Sequence, residues 1–344
     1  MTYRILFIVL FVSVLLTTLT TAAQSNSCES TQQFAFGDPP IPGAYLCIPE
    51  GPFLSVCYLK TDQCGPAKVY LEIHNRCPHC GSPIDLTSGN TFIEQTDFSI
   101  PGLGGGLSLT RTWKSMWPLS EQAYQVGMFG TNWRSTYEER IFMGSDNYTK
   151  YLRADGSFWS WGAGSGGLRP VAPKDESAAV LTLNNGIWTL AFKNGTKKTF
   201  DYNTGVLKSI IDRNGNTTTV VCDSNRRPIT VTDAANRTIT FNYTGQFVSS
   251  VVSSAGTFTY NYDGDFLTKV TRPDNTFITF EYGEGSAVNG VPPLILAVKD
   301  TDGKLLEGHH YDAIGRGISS TRANGVDAVT ITYPVSLTTP PRTQ

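Results

Sequence analysis

Thr238-Ile239-Thr240-Phe241-Asn242-Tyr243, Thr257-Phe258-Thr259-Tyr260-Asn261-Tyr262 and Phe277-Ile278-Thr279-Phe280-Glu281-Tyr282 are three versions of one phrase. Successive side chains of a β-strand point to opposite faces of its sheet. Ile239, Phe241 and Tyr243 therefore share one face with their counterparts, and Thr238, Thr240 and Asn242 share the other. One face is apolar and the other wet, so a one-residue slip would exchange them. Thr218/Val220/Cys222 and Val329/Ile331/Tyr333 follow the same rule.

Working outward, the residues that end these strands are Tyr202, Cys222, Tyr243, Tyr262, Tyr282, Tyr311 and Tyr333. They lie 20, 21, 19, 20, 29 and 22 residues apart by subtraction. A repeat near 20 residues accommodates two short strands and two turns and is too short for a helical hairpin. The turns are marked by Asn214-Gly215, Ala255-Gly256, Pro273-Asp274-Asn275, Asp302-Gly303 and Asn324-Gly325. The opening strands break strict alternation. Leu207 and Ile210, Val248 and Val251, and Leu267 and Val270 are each three apart, which predicts a bulge or a strong local twist whose position the pattern does not give. Cys222 falls on the apolar face, as a small buried hydrophobe with no partner cysteine nearby.

The whole composition agrees with a β protein. There are 33 Gly, 15 Tyr, 18 Phe and 6 Trp in 344 residues, and no long stretch after residue 30 has helical apolar periodicity. The balance of 27 basic and 29 acidic side chains gives no electrostatic footprint for nucleic acid or an anionic membrane. At the start, Arg4, the apolar run Ile5 to Leu16 and the small residues Thr21, Ala22 and Ala23 read as a cleaved export signal over residues 1–23. The run is shorter than the roughly 20 residues a bilayer span needs, so the mature chain is expected to be secreted or at the cell surface with no membrane span.

Export decides how the cysteines are read. Cys28, Cys47, Cys57, Cys64, Cys77 and Cys80 fall in a Pro-rich segment, residues 24–82, with little core of its own. In an oxidising compartment such a segment is expected to carry disulfides, whose pairing the spacing does not select. The alternative is a metal site built on Cys57, Cys64, Cys77 and Cys80, with His74 at hand. The first two are seven apart, which is irregular for a zinc knuckle.

Residues 83–170 read as a lead-in series of hairpins and loops. Catalytic readings of it fail one by one. The run Gly102 to Gly106 lacks the Lys-Ser/Thr and the following helix of a phosphate loop. Glu138 and Glu139, as strand neighbours, would point to opposite faces and could not flank one bond. The four histidines come with no Gly-x-Ser-x-Gly elbow. No catalytic residue and no cofactor is expected.

Pro83-Ile84-Asp85, Thr87-Ser88-Gly89-Asn90, Asp97-Phe98, Pro101-Gly102-Leu103-Gly104-Gly105 and Leu109-Thr110-Arg111-Thr112, followed by Phe129-Gly130-Thr131-Asn132-Trp133 and Tyr137-Glu138-Glu139-Arg140, occur in that order. This series resembles the N-terminal domain that precedes the repeats of rearrangement-hotspot (Rhs) proteins, the YD-repeat family. Tyr262-Asp263 and Tyr311-Asp312-x-x-Gly315-Arg316 resemble the YD repeat itself, over residues 171–333, with the Pro- and Thr-rich residues 334–344 after it.

The resemblance implies hairpin repeats wound into a curled sheet or partial β-shell, preceded here by the cysteine-rich segment. Shells of this family enclose a C-terminal toxin in many members, and other members have been associated with carbohydrate binding. Residues 334–344 offer no room for a toxin. The expected function is an exported, non-enzymatic structural or binding module that self-associates or joins other Rhs-type chains through an unpaired sheet edge. The second expectation is a cell-surface glycan binder using Trp159, Trp161 and Trp188. The third, an enzyme acting on extracellular polysaccharide, lacks a nameable acid/base pair.

Overall fold

The computed structural model describes residues 84–85, 88–164, 167–172, 179–283, 285, 289–326 and 328–333, and the backbone of strands Ala44–Pro49 and Ser55–Lys60. The chain divides into two compact units, Met1–Arg76 with Tyr333–Gln344, and Cys77–Thr332. In the first, the strands Ala44–Pro49 and Ser55–Lys60 pair antiparallel.

The second unit is built on an antiparallel sheet of 15 strands that runs in chain order from Val180–Asn184 to Val329–Thr330. Chain order and spatial order coincide because nearly every connection is a tight turn, which can only return the chain beside the strand it has left. Five of these turns are built alike. Oδ1 of Asp212, Asp223, Asp233, Asp300 and Asp312 accepts the amides of the residues two and four further on, at 2.8–3.1 Å. The fourth residue of each turn has positive φ: Gly215, Arg226, Asn236, Gly303 and Gly315.

Arg226 is the anomaly in this set, since a side chain with φ of 66° pays a steric cost that glycine avoids. Arg226→Gly is expected to stabilise the protein by about 0.5–1 kcal/mol, read as a rise in the urea midpoint. An unchanged or lower midpoint would show that the arginine side chain makes up for its backbone.

The predicted irregularity of the opening strands is a bulge, and it recurs at one place in each hairpin. Asn242 pairs with Ser250 and Tyr243 with Val248, leaving Ser249 unpaired. Thr268 is skipped between Lys269 and Leu267, and Leu296 between Ala297 and Ile295. The extra residue restores to one face two residues that are three apart, so Val248 and Val251, Leu267 and Val270, and Ile295 and Val298 are all buried. Where the skipped residue carries a hydroxyl, it satisfies the carbonyl that the bulge strands: Ser249 Oγ donates to Asn242 O and Thr268 Oγ1 to Asn261 O.

The tyrosine closing each bulge also ties one hairpin to the preceding one. The hydroxyls of Tyr243, Tyr262, Tyr282 and Tyr311 donate to the carbonyls of Pro228, Val248, Leu267 and Ile295, at 2.7–3.0 Å. Burial pushes all four phenols above their ordinary pKa, so each remains a donor across the accessible pH range.

The lead-in residues form three smaller antiparallel sheets. One joins Phe92–Ile100, Leu107–Lys114 and Trp133–Ser135; another pairs Val126–Gly127 with Gly130–Thr131. The third orders Gly167–Ala172, Phe158–Gly164, Thr149–Leu152 and Arg140–Met143. Their aromatic residues lie on the apolar face of the large sheet, hairpin after hairpin. Tyr151 meets Phe200, Tyr137 meets Phe241, Phe98 meets Phe258, Phe129 meets Tyr260, Trp133 meets Phe280 and Trp113 meets Tyr311. Lead-in and array share one hydrophobic core.

Candidate functional site

The chemistry-bearing side chains collect where the lead-in strands cover the array. Arg111, on Leu107–Lys114, is fully buried, and its guanidinium grips Asp97 with two hydrogen bonds of 2.8 and 2.7 Å. Tyr260 of the array donates to the same carboxylate at 2.6 Å. The rings of Phe129, Trp133 and Tyr260 surround the guanidinium at 5.1–5.6 Å. Burial works to lower the Arg111 pKa, but Asp97 outweighs it and holds the group charged above its ordinary value. Burial and the Asp97 charge push Tyr260 well up, so it stays a proton donor. An ion pair here, closed by one residue of the array, acts as a directional latch.

A second latch lies at the opening of the array. Lys198 Nζ reaches both oxygens of Glu139, at 2.6 and 2.7 Å, and Tyr151 donates to Glu139 at 2.8 Å. Glu139's neighbour Glu138 is committed elsewhere, accepting the Met128 amide at 2.6 Å and the Ser135 hydroxyl at 2.8 Å. Burial pushes the Glu138 carboxyl up, against the pull of Arg134 and these hydrogen bonds. The two glutamates lie in the connection between Trp133–Ser135 and Arg140–Met143, not in a strand as the alternation suggests. Each serves a separate internal contact.

The glycine run is likewise structural. It turns the chain between Phe92–Ile100 and Leu107–Lys114, and Arg237 of the array donates to Pro101 O at 2.8 Å. Gly106 has φ of 71°, and a Cβ there would collide with the carbonyl of Ile100.

Of the strand-ending residues, Tyr243, Tyr262, Tyr282 and Tyr311 pack against the core, and Cys222 holds the same bulge position one hairpin earlier. Burial pushes the Cys222 thiol up to about 11, so it stays protonated at neutral pH and lacks the character of a nucleophile. Tyr202 is misplaced by the spacing argument. Phe200 closes the first bulge and is fully buried, while Tyr202 lies beyond the strand, 52% exposed, beside Trp188. Tyr333 lies outside any strand, the last one being Val329–Thr330.

The three tryptophans separate. Trp161 is 1% exposed and part of the core, which removes it as a glycan contact. Trp159 is half-buried between Tyr151, Phe192 and Arg153. Trp188 is half-buried, 6.0 Å from the Tyr202 ring. The expectation of a disulfide bond is corrected: there is none among the described residues, where Cys222 is a free thiol. Cys28, Cys64, Cys77 and Cys80, and the side chains of Cys47 and Cys57, lie outside the described residues, as does the metal alternative built on four of them. Among the described residues no group of three or more His, Cys, Asp or Glu could hold a metal ion. No described helix is long and apolar enough to cross a membrane.

Sequence reasoning missed a change of character in the closing hairpin. Glu307, His309 and Ser320 occupy inward positions that Phe258, Tyr260 and Val270 fill two hairpins earlier. His309 is buried with its Nε2 3.7 Å from Glu307 Oε2.

Residues 81–159 match the family model described as a domain of unknown function (DUF6531). No curated protein matches the chain. Among solved structures, the chain is similar to a crystal structure of TcdB2-TccC3-Cdc42, with a TM-score of 0.30 and 11% identity over 63% of this chain and 14% of that one. It is also similar to one of TcdB2-TccC3-TEV, with a TM-score of 0.25 and 11% identity over 67% and 15%. The chain thus spans about one-seventh of the length of the chains it matches.

Proposed function

We propose that this chain is an exported, non-enzymatic structural and binding module of the Rhs YD-repeat type, in which the lead-in strands plug the apolar face of a partial β-shell. The observation that carries the reading is the row of lead-in aromatics seated on successive hairpins and locked by Arg111–Asp97–Tyr260. Two ion pairs, Arg111–Asp97 and Lys198–Glu139, are engaged inside this plug, where Tyr260 and Tyr151 donate to their carboxylates. Export follows from the Arg4 and Ile5–Leu16 leader.

Expressed with its own leader, the protein is expected outside the cytoplasm and unfolding in one transition, with amides of lead-in and array losing hydrogen-exchange protection together. Two separate transitions would remove the plug, and release of sugar from any extracellular polysaccharide would overturn the non-enzymatic reading.

A second reading, glycan binding, is favoured by one feature: Trp188 and Tyr202 form an accessible aromatic pair at the array's first corner. Apolar sugar faces stack on such pairs. A glycan array should then give a signal that Trp188→Ala abolishes; a blank array leaves the scaffold reading alone.

The repeated aspartate turns give the module a definite acid response. For Asp223 and Asp233, burial works to raise the carboxyl, but the arginine four residues on and the turn amides outweigh it and hold it below the ordinary value. Asp212 is lowered chiefly by the Asn216 side chain. Groups depressed in the folded state contribute stability that is complete above the unfolded value, about 3.9, and is lost as pH falls through the lower folded values. The urea midpoint should therefore hold down to about pH 5 and fall below about pH 4. A loss beginning near neutrality would show that another group governs.

A further inference from the structure

Among the described residues, the first strand of the large sheet, Val180–Asn184, has a hydrogen-bonded neighbour on one side only. Its two-residue turn Asn185-Gly186, both at positive φ, makes Asn184 and Ile187 a hydrogen-bonded pair. Such pairs alternate along an antiparallel ladder, so Thr182 and Val180 bond inward, and the amides and carbonyls of Leu181 and Leu183 face the open edge.

This edge is unguarded in a way that the others are not. From Val180 to Trp188 there is no charged residue and no proline. By contrast, the edge strand Gly167–Ala172 carries Arg169 and Pro170, Arg140–Met143 opens on an arginine, and Val329–Thr330 is only two residues long. Charge, proline and shortness are the usual devices against edge pairing. Exposed apolar side chains also gather here: Val180 at 58%, Leu183 at 41% and Ile187 at 36%.

We propose that Val180–Asn184 is a homodimerisation edge, pairing antiparallel with the same strand of a second copy about a two-fold axis at Thr182. The sequence is complementary to itself in this register. Leu181 lies opposite the partner's Leu183 and Val180 opposite the partner's Asn184, while Thr182 faces its own copy. Both Leu181–Leu183 pairs then use outward-facing backbone groups and form four hydrogen bonds. The same register sets each exposed Leu183 beside a buried Leu181, so the apolar row Leu181–Leu190 runs on across the axis. An isologous contact closes at two copies and does not propagate. The inference does not depend on the proposed function, since neither the plug nor a glycan uses this edge.

Light scattering on the purified mature chain is expected to give twice the monomer mass. Thr182→Lys, an exposed substitution, should give the monomer mass and still unfold cooperatively, with a melting temperature that no longer depends on protein concentration. Thr182→Cys should cross-link to a dimer under mild oxidation, whereas Val180→Cys should not, because its two copies stand about 14 Å apart along the strands. A monomeric wild-type chain would overturn the proposal. So would a dimer that survives Thr182→Lys, or a Thr182→Cys variant that fails to cross-link, whether or not the edge takes a strand from a different protein.

Discussion

Replacing Arg111 with methionine is expected to cost about 3–5 kcal/mol of unfolding free energy, the price of leaving a buried carboxylate without its partner. Asp97 is almost fully covered, and its remaining bond, from Tyr260, cannot supply a positive charge. The loss should appear as a lower urea midpoint with little change in slope. Replacing the whole group, with Asp97→Leu and Tyr260→Phe added, should recover most of it, because an apolar set of similar volume has no charge to desolvate. A loss below about 1 kcal/mol in the single variant would mean that water reaches the pair and that it is no latch.

Deleting Ser249 is the second large effect expected. The bulge lets Val248 and Val251 share the buried face. Without the extra residue, strict alternation must turn one of them outward or break the pairing of Tyr243 with Val248. Exposing a valine costs about 2–3 kcal/mol and losing a tyrosine hydrogen bond about 1 more, so the deletion should destabilise by about 3–4 kcal/mol. Ser249→Ala, which keeps the bulge and removes only the bond to Asn242 O, should cost about 1 kcal/mol or less. If the deletion were as mild as the alanine variant, the bulge would be an accommodation and not a requirement.

These two cases mark where sequence reading stops. The alternation Ile239/Phe241/Tyr243 is local, and the face it assigns is the face that is buried. The three-residue spacing of Val248 and Val251 is also local and signals a bulge. Which residue is skipped depends on pairing with the neighbouring strand, which the opening strand alone does not contain. Tyr202 fits the period, but the period is blind to the two-residue offset that brings Phe200 to the first bulge. Arg111 stood within a motif and carried no sign of its partner, because Asp97 and Tyr260 are 14 and 149 residues away along the chain.

From Thr217–Cys222 to Phe277–Tyr282 the sequence by itself determined the strands and the apolar side of each, since these rest on alternation and on contacts a few residues apart. At the end of the array it did not, for Val329/Ile331/Tyr333 forms only the two-residue strand Val329–Thr330, with Val329 exposed. Only the tertiary structure decided what covers that side. A row of apolar side chains must be buried against something, but nothing in its pattern says whether that is a second sheet, a cargo or an earlier part of the chain. Here it is the lead-in: Trp113, Phe129, Trp133 and Tyr137 reach across more than a hundred residues to successive hairpins, and the buried Arg111 lies against two of them, Phe129 and Trp133.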